Sequence, residues 1–539
     1  TPTKFTGNTL TNNYHGVNLN NVNNSIISYN DIKASDERGI FISRGANNTI
    51  SYNNLTSNRY GIQIGSNIYP EGNNISFNNI SKNTVDGIFL LQSNNITIHN
   101  NNLSDNAFRG IRVGYAIEEF GPEIIRNNLI NGNPGGIRIQ SNPSQKISSI
   151  YILSNNITGS TISGINLDVD SDNNTINNNY ISSNAYNINI TSSTNNTFQD
   201  NVLFNPTYGD IGVNGTGFNT FLNTTFDRTK VSFEPASTGM INVQWYVEAN
   251  VKNSTLVNLQ NVNVTAWNVS QQQVFTQLTN SLGNIIRQNV TDYIQNRTHT
   301  INSNNHTVNF TLTTYDNYSI SFNLTNSTVF NVVLNHIPTV SNVILNATTL
   351  QNTTYDNLTV YYSSSDPEND PLTTITDWRL NGSSIAILNM PFDTNVSGLG
   401  GIVKDYSTHR NNGILGNGTL GTEPVWNSSG RVGGGYEFDG INDFIKINKS
   451  NSLNNTKAFS VEAWINTTVN STSPSTIGYI FANFPGGSSQ SGDILFYRVG
   501  NKIEANMRLD GSISVLTSAT SLLKNKWYHV ALVVKPGNN

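Results

Sequence analysis

Through the first two hundred residues, apolar and polar positions alternate in short bursts, and each burst restarts at a glycine. The Gly-apolar step recurs at Gly16-Val17, Gly39-Ile40, Gly61-Ile62, Gly87-Ile88, Gly110-Ile111, Gly136-Ile137 and Gly164-Ile165, with Asn187-Ile188 as an eighth. The intervals of about 22 to 28 residues are those of a coil repeat. Taking the glycine as zero, position +1 reads Val17, Ile40, Ile62, Ile88, Ile111, Ile137, Ile165, Ile188, and position +3 reads Leu19, Ile42, Ile64, Leu90, Val113, Ile139, Leu167, Ile190. A period of two predicts a strand, and two columns that stay apolar through eight coils predict parallel strands stacked coil on coil. Two further short strands per coil follow from Ile26, Ile50, Ile98, Ile176 and from Ile32, Leu55, Ile80, Leu103, Leu129, Ile157. Paired asparagines such as Asn53-Asn54, Asn78-Asn79, Asn101-Asn102, Asn127-Asn128 and Asn155-Asn156 fall at the bends. Asparagine tolerates left-handed backbone, and amides stacked at about 4.8 Å can bond from coil to coil.

Coil signatures such as "NNTISYNNLTSNRYGIQI" and "NNITIHNNNLSDNAFRGIRV" resemble the right-handed parallel β-helix proteins of the carbohydrate-binding and sugar-hydrolase type, over residues 1–225. From 228 to 335 the repeat stops, and the alternating strands "MINVQWYVEANV", "VNVTAW", "HTVNFTL" and "NYSISFNL" predict a β-sandwich. This segment resembles the carboxypeptidase-regulatory-like spacer, which implies no peptidase activity. A proline boundary at "NHIPTV" opens a smaller module, 336–387, whose "SDPENDP" loop resembles that of Ig-like and cadherin-like modules. Residues 388–539, with "VKDYSTHRNNGILG", "GGGYEFDGINDFIKI", "FSVEAWINTT" and "KWYHVALVV", resemble a laminin-G-like jelly roll of the concanavalin A-like superfamily, lacking its last strand. The expected fold is all-β: a right-handed parallel β-helix solenoid, β-sandwich domains and a C-terminal jelly roll, as in large microbial cell-surface proteins, archaeal ones among them.

Charge is sparse, at 12% of residues with a formal net of -5, so a global pull on nucleic acid or anionic membrane is not expected. The absence of cysteine removes disulfides, thiolate metal sites and cysteine nucleophiles. No apolar run reaches the length of a membrane span, and the chain reads as an internal segment whose export signal and anchor lie elsewhere. The sequence holds 34 Asn-x-Ser/Thr triplets where composition alone gives about 20. Asn54, Asn95, Asn156, Asn263, Asn309, Asn357 and Asn466 are candidate glycosylation sites; occupied, they place the chain outside the cytoplasm. An Asn- and Thr-rich chain also writes such triplets by chance.

Candidate chemistry sits at position +2 of the coils, which faces outward: Asn18, Phe41, Gln63, Phe89, Arg112, Arg138, Asn166, Asn189. Arg112 and Arg138 fall on adjacent coils, where like charges repel unless Glu118 and Glu119 or an anionic ligand neutralise them. Exposed Phe41 and Phe89 offer stacking surfaces for sugar rings. Phe41, Gln63, Phe89, Arg112 and Arg138 therefore form a candidate glycan-binding stripe, with a solvated surface as the plain alternative. Asp86 and Arg109, at position -1 of neighbouring coils, read as a structural ion pair. Should the solenoid be an enzyme, a polysaccharide lyase or glycoside hydrolase, Asp168 and Asp170 of "NLDVDSDNN" would project from one strand or its end, with Arg138 nearby. The family's hydrolase motifs are absent.

Metal candidates are acidic. Asp366, Glu368 and Asp370 could hold Ca²⁺ through hard oxygen ligands, or form a solvated turn. The jelly-roll resemblance implies a Ca²⁺ position at Asp405, with Asp439 and Asp443 as further ligands or turn-formers. Seven scattered histidines give no zinc or copper motif. Trp464, Trp527 and His529, inside alternating strands, read as core packing. The expectation is an extracellular or cell-surface adhesin or glycan-binding protein without catalysis, its partner a polysaccharide or cell-surface glycan. A groove enzyme and a passive surface-layer component are the alternatives.

Overall fold

The structure is a computed structural model that describes residues 3–65, 70–114, 123–141, 147–349, 353–454, 458–468, 473, 477–483, 494–509 and 512–535. The chain divides into two compact units, Thr1–Glu368 and Asn369–Asn539.

In the first unit each coil contributes one strand to each of three parallel sheets. The first sheet starts at Lys4–Thr6, the second at Thr9–Thr11 and the third at His15–Asn20. In the third sheet, Ile62, Ile88, Ile111 and Ile137 are direct neighbours, coil after coil, and all are buried. The other two sheets stack Ile50, Ile75, Ile98 and Ile125, and Leu55, Ile80, Leu103 and Ile130, in the same way. Each such side chain contributes roughly 1.5–3 kcal/mol on burial.

Two positions differ from the sequence expectation by one residue. Ile27, not Ile26, aligns with Ile50, and Ile130, not Leu129, aligns with Leu103. Because strand side chains alternate, a slip of one turns a residue inside out, and Leu129 lies exposed. The solenoid also continues past the eighth coil. Gly209–Asn214 and Val231–Phe233 add two more strands to the third sheet, where Asp210 stands in the glycine's place and hides the signature.

The glycines serve close approach. A Cβ on Gly110 would meet Ile130 Cγ2 at 2.7 Å and the Gly136 carbonyl oxygen at 2.9 Å. The bends carry inward amide ladders. At the first corner Asn53, Asn78, Asn101, Asn128, Asn155 and Asn179 each donate through Nδ2 to a main-chain carbonyl and to the Oδ1 of the next amide, where the next is Asn78, Asn101, Asn128, Asn155, Asn179 and Asn201. The left-handed residue is the one before the inward amide: Tyr29, Tyr52, Phe77, Asn100, Asn127, Ser154 and Asn178 all have φ near +57°.

The solenoid runs into the sandwich without a break. The 14-residue strand Met240–Asn253 pairs in parallel with Phe218–Leu222 of the first sheet, then antiparallel with Gln288–Gln295 and parallel with Thr328–Leu334 of the sandwich. One apolar core extends from Val17 to Leu334. Beyond it, Thr339–Ala347 and Leu358–Ser365 form a two-stranded antiparallel hairpin.

The second unit is also built of strands. Phe459–Asn466 pairs with Trp527–Val534, and a four-stranded antiparallel sheet runs through Ile477–Asn483, Ile494–Val499, Lys502–Leu509 and Ser512–Thr517. Its core holds Ile494, Phe496, Ala505, Val530, Leu532 and Val534. The outer face of the Phe459–Asn466 pair carries Trp464, 47% exposed, so the expectation of a core tryptophan fails there. Strand alternation points Phe459, Val461, Ala463 and Ile465 inward instead, and His529, opposite Trp464, is likewise on the exposed face.

Candidate functional site

The outward column of the third sheet is in register: Phe41, Gln63, Phe89, Arg112, Arg138, Asn166 and Asn189 are consecutive cross-strand partners. Its chemistry differs from the sequence expectation. Phe89 is only 7% exposed, since the Arg112 guanidinium lies over its ring at 3.6 Å and Tyr60 stacks at 5.8 Å. Gln63 is buried as well, accepting from Arg38 Nε at 2.7 Å and donating to the Gly65 carbonyl at 3.2 Å. Phe41 stays partly open, between Arg38 at 4.6 Å and the His15 ring at 5.5 Å.

Arg112 and Arg138 do not face each other unneutralised. Arg112 Nε is 2.7 Å from Asp86 Oδ2, and Arg109 reaches Asp86 Oδ1 at 3.5 Å. Arg138 holds Asp168 Oδ2 at 2.6 and 2.7 Å. Each charge is met by an acid on a neighbouring coil, which removes the need for Glu118 and Glu119; those two lie outside the described residues. Burial pushes the Asp86 carboxyl above the usual range, against the pull of Arg112 and Arg109. Burial also lowers Arg109. Upstream, Glu37 is shared between Arg59 at 2.5 Å and Arg38 at 3.5 Å. Across these three clusters, among the described residues, five arginines face three acids.

Of the acids expected at one strand or its end near Arg138, Asp168 follows directly on the strand and meets Arg138. The strand ends at Leu167; Asp168 is tied to Arg138 and Asn166, while Asp170 follows in a turn with φ of +59°. Sequence reasoning missed Glu123. It takes an asparagine's place in the third inward ladder, accepting the Ile96 N–H at 2.7 Å and the Ser93 hydroxyl at 3.1 Å, and burial raises its pKa to about 7.

Protein N–H and O–H groups meet several of the acidic metal candidates. Asp405, buried, accepts from the N–H groups of Asn389, Ser407 and Asn411 and from the Ser407 hydroxyl, at 2.7 to 2.9 Å. Asp439 accepts from the N–H of Ile441 and Asn442, and Asp443 from the N–H of Asp439, which describes a turn. The unit division runs through the "SDPENDP" loop. In the first unit Asp366 accepts the Glu368 N–H, and Glu368 the His336 N–H, each at 2.9 Å; Asp370 belongs to the second unit. Of the candidate glycosylation sites, Asn95, Asn156, Asn263, Asn357 and Asn466 are exposed, and Asn54 and Asn309 half-buried.

Comparisons with known proteins agree with this architecture. Residues 65–226 match the right-handed β-helix region family and residues 439–539 the concanavalin A-like lectin/glucanases superfamily. Residues 2–85 match the periplasmic copper-binding protein (NosD) family. That segment does not suit copper, since it holds one histidine, His15, and neither cysteine nor methionine. No curated protein matches the chain. Among solved structures, the Azotobacter vinelandii mannuronan C-5 epimerase AlgE4 A-module is 15% identical, covering 43% of this chain and 68% of its own, with a TM-score of 0.34. The Dettilon tailspike protein (gp208) is 13% identical, covering 67% and 81%, with a TM-score of 0.34. ORF18 of Geobacillus virus E2 is 12% identical, covering 76% and 77%, with a TM-score of 0.37. The chain thus combines a right-handed β-helix, sandwich sheets and a concanavalin A-like domain. Among the described residues no helix is long and apolar enough to cross a membrane.

Proposed function

We propose that this chain is a glycan-binding surface protein outside the cytoplasm, and that the wall of the third sheet docks an acidic polysaccharide without cleaving it. The observation that carries the reading is the group of five arginines set beside aromatic rings on this wall, with Arg112 and Arg138 in direct register. Guanidinium groups match carboxylate and sulfate in planar geometry, and a fixed repeat along the wall suits a repeating polymer. The names of two matched families, one lectin/glucanase and one periplasmic, support sugar recognition and an extracytoplasmic setting. The pinning of Asp168 by Arg138 and of Asp86 by Arg109 and Arg112 favours binding over catalysis. Glycoside cleavage needs one protonated and one ionised carboxyl flanking the scissile bond, and these acids are committed to arginines.

The test is affinity electrophoresis in gels containing polygalacturonate, alginate or a neutral glucan. The acidic gels are expected to retard the protein, less so as salt rises. Arg138→Gln is expected to weaken that retardation by about five- to tenfold, within the range of a lost hydrogen bond. Release of reducing or unsaturated sugar that Asp168→Ala abolishes would replace this reading with an enzymatic one.

A further inference from the structure

The corner between the first and second sheets, away from the third-sheet wall, carries a run of exposed aromatic rings. Three successive coils place an aromatic ring there: Tyr29, Tyr52 and Phe77. The rings are 64%, 48% and 44% exposed. They stand 5.0 Å apart and nearly parallel, at 3° and 4°, and the His99 ring meets Phe77 edge-on at 5.6 Å. Each of the three occupies a left-handed backbone position, with φ of +57°. The same corner in other coils takes Gly7, Asn100, Asn127 and Asn178, residues that accept this conformation readily, and the small polar Ser154 and Asp200. These coils therefore bear both backbone strain and exposed aromatic surface, where Gly or Asn would bear neither. The preceding coil has Gly7 at this corner, which offers no side chain to stack on Tyr29.

Two residues after each aromatic, an outward polar group follows: Asp31, Asn54 and Asn79. Asn54 Nδ2 donates to Asp31 Oδ1 and Asn79 Nδ2 to Asn54 Oδ1, each at 2.9 Å, and Asn102 adds a fourth member at 3.2 Å. Each of these amides keeps a second N–H beyond the ladder. Asp31 is paired with Lys33 at 2.7 Å, so the ladder itself carries no net charge; past the aromatic stack, His99 has Arg126 as its partner on the next coil.

We infer that Tyr29, Tyr52 and Phe77, with the flanking amides of Asn54 and Asn79, bind an uncharged polysaccharide chain running along the solenoid axis. The outer face of Tyr29 and the exposed edges of the stack, with the tyrosine hydroxyls, meet the C–H and O–H groups of sugars, and carboxamides meet hydroxyl pairs. A neutral surface fits a neutral polymer, whereas the guanidinium wall of the third sheet fits an acidic one. The inference shares the glycan reading of the previous section but uses none of its residues.

The decisive variant is Tyr29→Asn, Tyr52→Asn, Phe77→Asn, since asparagine already fills this corner elsewhere and tolerates the backbone. It is expected to keep or raise the melting temperature. In gels containing hydroxyethylcellulose, soluble xyloglucan or mannan, retardation of the native chain is expected with at least one polymer, and a loss of at least tenfold in the triple variant. Arg138→Gln is expected to leave this neutral retardation unchanged, and the triple variant to leave polygalacturonate binding unchanged. Equal retardation of the native and triple-variant chains, or none of the native chain in any neutral gel, overturns the inference. So does sedimentation showing that the rings instead join two copies of the chain, an association lost in the triple variant.

Discussion

Among single residues, Glu123 has the largest consequence. It sits in a corner position that the two adjoining coils fill with Ile96 and Ile150 and other coils with Asn73, Asn174, Asn196 and Asn219, and its carboxylate performs the asparagine's accepting role toward the Ile96 N–H. It lacks the amide's donors, and burial raises its pKa from 4.5 to about 7. The unfolded chain releases this proton near the ordinary value, so between about pH 4.5 and 7 the folded state binds more protons than the unfolded one. Stability contributed by the protonated form is full below that window and is lost as pH rises through it, by up to about 3 kcal/mol. Urea midpoints are therefore expected to fall from pH 5 to pH 8 in the native protein, and to change much less in Glu123→Gln, which also restores an amide. Equal slopes in both would mean that Glu123 is hydrated and ionised in the fold. Nothing in "PEIIRNN" announces this role, because the ladder is visible only once the coils are stacked.

At the level of the strand and its bend, the sequence carried the β-helix almost completely, because a column that repeats eight times survives local errors. It could not say which of two adjacent asparagines turns inward. Asn101 is buried and makes five hydrogen bonds: to the carbonyls of Ile75 and His99, to Asn128 Oδ1, and from the Asn78 N–H and Nδ2. Asn102, its neighbour, is exposed and donates once, to Asn79. Asn101→Ala is expected to cost about 3 kcal/mol or more, by stranding buried donors and acceptors, and Asn102→Ala less than about 0.5 kcal/mol. Denaturant titration of the two variants measures the difference directly. The same alternation explains many of the glycosylation triplets. Asn54-Leu55-Thr56, Asn79-Ile80-Ser81, Asn102-Leu103-Ser104 and Asn156-Ile157-Thr158 are second-sheet strands with the middle residue in the core, so the fold itself writes Asn-x-Ser/Thr. The wall on the third sheet was legible as a column but not as chemistry. That Phe89 lies under Arg112, and that Asp86 serves two arginines, depends on how long side chains lean between coils, which periodicity does not encode.

For the first unit as a whole, the consequential feature is that solenoid and sandwich share a strand. Met240–Asn253 leaves the first sheet and becomes a central strand of the next domain, so the last coil's apolar end, with Phe198 and Phe221 stacked at 4.4 Å, is never a free surface. A polar centre reinforces the junction. Asp292, fully buried in the sandwich, receives Arg228 from the end of the solenoid, the Trp245 indole N–H at 3.0 Å and the Asn304 amide at 2.8 Å. A buried carboxylate held this way is costly to leave with its partners unmatched, by about 3–5 kcal/mol. Two domains with one core and one shared strand are expected to unfold together rather than in sequence. Hydrogen exchange on the intact chain checks this: amides around Ile111 in the solenoid and Val264 in the sandwich are expected to open with the same free energy. Asp292→Ala is expected to lower protection in both regions by a similar amount. Protection lost in the sandwich alone would mean that the shared strand transmits no cooperativity and that the solenoid is stable without its neighbour.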